Sequence, residues 1–109
     1  MKLTQKEKKI VEIFKSKIEQ KYPGRISDVI IYGSKARGDA TENSDIDVLV
    51  TILDYNWRLG DEIRAIGYEL DEEIGYSLSI QVLSKEHVDY LKNKNFQFIR
   101  NVESYGMTI

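Results

Sequence analysis

Two short runs, Gly33-Ser34 and Asp45-Ile46-Asp47, carry the residue types that phosphate and metal chemistry requires, and ten residues lie between them in "GSKARGDATENSDID". On a strand, side chains alternate between faces, so Asp45 and Asp47 would share one face while Ile46 and Val48 point to a core. Two carboxylates on one face, with no Lys or Arg in "NSDIDV", repel each other unless a cation bridges them. The chain has no cysteine and a single histidine, His87, so a metal would rest on oxygen ligands, which favours magnesium, manganese or calcium. Magnesium takes one or two carboxylates and completes its octahedron with water and substrate phosphate oxygens. Gly33 offers a backbone with no Cβ, Ser34 adds a hydroxyl, and "SKARG" as a short helix or nest would turn N–H groups toward an anion. Lys35 and Arg37 lie within reach of that site, and Arg37 could neutralise phosphate charge. Together these residues suit a triphosphate held at Gly33-Ser34 and bridged by Mg2+ to Asp45 and Asp47.

Each half is ordinary by itself. Gly-Ser after a strand is commonly a turn, and Asp-x-Asp at a strand start is commonly solvated edge charge; Arg37 suits a surface ion pair as well as a phosphate contact. The conjunction carries the signal. Competing glycine motifs fail on their letters: Gly33 and Gly38 have P-loop spacing, but Asp39-Ala40 follow where Lys and Ser or Thr are needed, and no G-x-G opens a dinucleotide fingerprint.

The elements that must position these residues follow from the patterning. Thr4 and Glu7 form a capping box ahead of Ile10, Val11, Phe14 and Ile18 at helical spacing, and "YPG" at 22–24 ends that helix. "SDVIIY" (27–32) reads as a buried strand closed by Gly33, and "DIDVLVTI" (45–52) as a second. Trp57, Ile63, Ile66, Leu70 and Ile74 suit the core face of a helix over 56–74, stopped by Gly75. "YSLSIQVLS" (76–84) alternates as a third strand. Ser84 caps a short helix through Leu91, and a last helix over 95–106 leaves "MTI" as a tail. His87 reads as a surface or packing residue and "ELDEE" (69–73) as a solvated helix face. The prediction is one α/β domain over 1–109, a two-layer arrangement of helices on a small mixed sheet of about three main strands. A dozen-residue link is too short for a parallel crossover, so the first two strands should be antiparallel neighbours, bringing Gly33-Ser34 beside Asp45 and Asp47.

Composition excludes several classes. Charged residues make up 31% and hydrophobic ones 41%, the balance of a globular domain, and no apolar run is long enough for a membrane span. The basic start "MKLTQKEKK" leads into an amphipathic pattern with no secretory or lipidation signal, so a cytoplasmic location is expected. A net charge of −2 offers no footprint for duplex nucleic acid.

The stretch "YGSKARGDATENSDIDVLV" resembles the signature of the DNA polymerase beta-like nucleotidyltransferase superfamily. More closely, it is similar to the minimal nucleotidyltransferase (MNT) family, whose members often accompany a HEPN-domain partner in toxin–antitoxin pairs. The likeness extends over most of the chain. It implies a nucleotidyltransferase-like fold in which Gly33 and Ser34, with Arg37, hold the nucleotide while Asp45 and Asp47 bind magnesium as the catalytic pair. It also implies transfer of NMP, with AMP from ATP the first expectation, to a hydroxyl on a HEPN-type partner in a homo- or hetero-oligomer. The superfamily usually adds a third carboxylate from a later strand; here the matching strand offers Ser79 and Gln81. That departure keeps a second reading open, a non-catalytic nucleotide-binding antitoxin that neutralises its partner by contact. Small-molecule-modifying transferases of the antibiotic-resistance type carry a second, helical domain for which this chain has no room.

Overall fold

The computed structural model describes residues 3–41, 44–75 and 77–109, with only the backbone of Ile74; Glu42, Asn43 and Tyr76, which the sequence places in the loop and at the third strand's start, lie outside the described residues. Helix α1 (Gln5–Lys21) is launched by the expected capping box: Thr4 N–H donates to Glu7 at 2.9 Å, and Glu7 N–H donates to the Thr4 hydroxyl at 3.1 Å. Strand β1 (Ile26–Tyr32) follows, then a single helical turn, α2 (Ser34–Arg37), and strand β2 (Ile46–Ile52). Helix α3 (Trp57–Ile74) is capped by the Asn56 side chain and stopped by Gly75 in the left-handed region. Strand β3 (Leu78–Ser84) and helices α4 (Lys85–Asn93) and α5 (Gln97–Tyr105) complete the predicted set, with Ser84 capping α4 through the His87 N–H.

The sheet order is β3-β2-β1-β4. β1 and β2 are antiparallel, as the short link requires, while β2 and β3 are parallel and joined by the α3 crossover. The tail prediction is corrected: Met107–Thr108 form β4, which pairs antiparallel with Ile30 and Ile31 of β1. The reason is main-chain demand, because the outer edge of β1 would otherwise leave its N–H and C=O groups unpaired. Two residues carry no readable alternation.

Alternation divides the sheet cleanly. Val29, Ile31, Val48, Val50, Ile80 and Val82 face α1 and α3, where Phe14, Ile18 and Ile63 complete the main core. Leu49 on the opposite face packs with Val88, Ile99 and Val102 of α4 and α5, a smaller cluster that covers that face only in part. Helix α3 packs closely on β3 at Gly67, where a Cβ would meet the Ile80 side chain at 2.0 Å. Trp57 departs from its predicted core place: it is 62% exposed at the first helical position, and Leu59 occupies the core instead. His87 is exposed, as predicted.

Candidate active site

The β1–β2 pairing sets Tyr32 opposite Asp47, and the β2–β3 pairing sets Asp47 beside Ser79, so the three lie in one row across the sheet. Strand β1 ends there because Gly33 takes φ 80° and ψ −156°, a region essentially restricted to glycine. A Cβ on Gly33 would lie 2.1 Å from Asp47 Oδ2 and 2.9 Å from its carboxyl carbon. The glycine is therefore demanded by the aspartate: the phosphate-suited turn and the Asp-x-Asp run touch, although ten residues separate them in sequence.

α2 is one helical turn, closed when Arg37 N–H donates to the Gly33 carbonyl at 3.0 Å and Gly38, at φ 89°, donates to the Ser34 carbonyl at 2.9 Å. Its two cations diverge. Lys35 is buried, and its Nζ lies 2.7 Å from Glu7 Oε2, so the expectation that Lys35 reaches the site is overturned; the helical rotation points it at α1. Arg37 stays at the surface, pairing loosely with Asp39 at 3.3 Å, and is close enough to Asp47 to favour that residue's charged form. Ser34 is half-buried beside Gly33.

Asp45 is exposed immediately before β2, and Asp47 is half-buried. Burial first, then the Asp45 charge, push the Asp47 carboxyl above the usual aspartate range, against opposing pulls from Arg37 and a hydrogen bond with Ser79. Burial and the nearby Asp47 charge likewise push the Tyr32 phenol up to about 12. Two carboxylates that Arg37 offsets only in part, beside an open turn, are a donor set for a hard divalent cation, and the residues present fit one.

The third-acid question is answered by register. Ser79 sits directly beside Asp47, whereas Gln81 pairs one step further on, beside Leu49, and is exposed. Among the described residues no group of three His, Asp or Glu gathers where a metal would sit. Sequence reasoning missed two neighbours. Tyr32 lies in the row with Asp47; its place just before Gly33 was the available signal. Asp71, assigned to a solvated helix face, accepts the Leu78 N–H at 3.1 and 3.2 Å and so fixes the start of β3. Burial raises the Asp71 carboxyl, the Leu78 bond lowers it, and the Asp45 charge adds a smaller upward push. No signal in the sequence marks that contact, which spans seven positions.

The chain is similar to known proteins over most of its length. The nucleotidyltransferase domain family model matches residues 7–104. Two Methanocaldococcus jannaschii proteins, each named as a candidate protein adenylyltransferase, are similar throughout: one is 31% identical over 104 residues, covering 94% of this chain and 97% of the relative, and the other 32% over 100 residues, covering 92% and 95%. Among solved structures, a candidate nucleotidyltransferase from Sulfolobus solfataricus superposes with a TM-score of 0.55 at 24% identity, covering 75% of this chain and 70% of that one. A toxin–antitoxin structure with AMP-PNP superposes at 0.56 with 16% identity, covering 89% and 70%. At these identities the superpositions establish the fold, and a variant of the toxin–antitoxin pair MntA-HpeT shares it at a TM-score of 0.54, 16% identity and coverage of 90% and 70%. With nearly its whole length matched in sequence as well, the chain belongs to the nucleotidyltransferase domain family and is a nucleotidyltransferase.

Proposed function

We propose that this chain transfers AMP from ATP to a hydroxyl of a HEPN-type partner protein, acting as the antitoxin of a toxin–antitoxin pair. The observation that carries this reading is the contact between Gly33 and Asp47, which joins a phosphate-suited turn to a metal-suited carboxylate pair. The names of the relatives, protein adenylyltransferases, support the nucleotide and the protein acceptor. The toxin–antitoxin neighbours, one with AMP-PNP, support the partner.

In this reading Asp45 and Asp47 hold Mg2+, which when bound supplies charge neutralisation at the phosphates. Gly33 and Ser34 receive the phosphate oxygens through backbone and hydroxyl donors, and Arg37 offsets phosphate charge from the rim. The acceptor oxygen bonds to the α-phosphorus as the bond to pyrophosphate breaks, and the acceptor proton leaves with solvent or a carboxylate of the site. The chain's contribution is positioning and electrostatics, which dominate phosphoryl-type transfer. No described helix is long and apolar enough to cross a membrane, and a cytoplasmic setting is part of the proposal.

Incubation with α-labelled ATP, magnesium and the product of the adjacent reading frame should label that product; equal labelling by Asp45→Ala sinks the assignment. Ser79 beside Asp47, where the superfamily usually has an acid, favours a second reading in which the site binds nucleotide without turnover. Neutralisation that survives Asp45→Asn/Asp47→Asn would favour that reading.

A further inference from the structure

Four residues of helix cannot hold their own shape in water, so α2 must be fixed by what surrounds it. Ala36 packs against the main core, and Gly33 and Gly38 supply the backbone bends at either end. A further tie is ionic: Lys35 Nζ and Glu7 Oε2 are 2.7 Å apart, with each side chain only 5% exposed. A buried ammonium needs such a partner, and a buried pair contributes more to direction than to net stability. Glu7 is itself immobilised, because its Oε1 accepts the Thr4 N–H and its own N–H is held by the Thr4 hydroxyl. It cannot follow a drifting lysine.

We propose that Glu7 and Lys35 are positioning residues for the active site: the first turn of α1, rigidified by its capping box, holds α2 through this buried pair and so sets Gly33 and Ser34 against Asp47. Lys35 follows Ser34 directly, and Gly33 already stands in contact with the Asp47 carboxylate, so there is no slack between the ion pair and the site. The role of the positioned turn rests on the nucleotide reading above; the positioning itself does not.

The test uses the full chain. Hydrogen exchange without nucleotide or metal should show faster exchange at the Arg37, Gly38 and Asp39 amides, which bond to the Gly33 and Ser34 carbonyls, in Glu7→Gln/Lys35→Met than in wild type. Glu7→Gln alone serves if the double variant does not fold. Calorimetric titration with AMP-PNP and magnesium should give about tenfold weaker binding, and kcat/KM for ATP should fall at least as far, because a misplaced site loses orientation as well as affinity. Lys35→Arg, which keeps the cation, should restore both amide protection and affinity. Wild-type exchange at α2, or unchanged AMP-PNP affinity alongside a lowered melting temperature, would overturn the proposal. Should wild-type protein bind no AMP-PNP, the nucleotide reading fails while the exchange experiment still decides the positioning.

Discussion

Lys35 and Arg37 sit two residues apart on the same helical turn, carry the same charge, and live in opposite conditions. Lys35 is sealed against α1 with a carboxylate at 2.7 Å, whereas Arg37 shares a loose surface contact with Asp39 and looks toward Asp47. Desolvation makes the difference. A buried cation is committed to its partner, so it holds structure; an exposed cation keeps its hydration and its freedom, so it remains available to a ligand. One short turn thus carries a cation sealed in the interior and another left at the surface.

Substitutions can break that contrast. Lys35→Met alone strands the Glu7 charge in the interior and should cost about 3–5 kcal/mol in urea unfolding; a loss under about 1 kcal/mol would mean the pair is solvated and holds nothing. Gly33→Ala should cost about 1–3 kcal/mol from its backbone angle, and more where Asp47 is pushed aside. Its sharper signature is loss of magnesium-dependent nucleotide binding, measured by calorimetry. Arg37→Met should change stability by less than about 1 kcal/mol yet weaken AMP-PNP binding several-fold, about 1–2 kcal/mol for a charge-assisted contact. Equal losses in stability for Lys35→Met and Arg37→Met would erase the distinction.

The smallest effect concerns pH. An aspartate whose carboxyl is raised on folding keeps its proton longer in the folded chain than in the unfolded one. Stability therefore falls as pH climbs from the ordinary value of 3.8 through the raised one, and the penalty is complete above it. Asp47→Asn removes that penalty, so its melting temperature should exceed wild type at neutral pH by a few degrees, on the order of 1 kcal/mol or less. The advantage should vanish below the unfolded value. Magnesium should raise the wild-type midpoint and leave the variant's nearly unmoved; an equal rise in both would argue against Asp47 as a ligand.

Much of the architecture was legible because it is local. The capping box of Thr4 and Glu7, the Asn56-to-Gly75 helix and the β-branched strands each state their own boundaries within a few residues. The antiparallel turn between β1 and β2 followed from loop length alone. Trp57 was misplaced because periodicity marks a helical face without saying where that face stops meeting the sheet. Strand β4 was unreadable because two residues pair by backbone demand, not by pattern.

The sequence by itself determined the candidate donors: oxygen groups without cysteine and with one histidine, a carboxylate pair in a stretch free of Lys and Arg, and a Gly-Ser turn one short loop away. Tertiary structure decided which groups meet. It turned Lys35 inward to Glu7 across 28 positions of sequence and set Ser79 in register with Asp47. It also set the Asp71 carboxylate on the Leu78 N–H at the start of β3. The physical reason is range. Residue type and spacing fix chemistry and local turns, but burial and register depend on every element packed around them, and these select the partner of each charge.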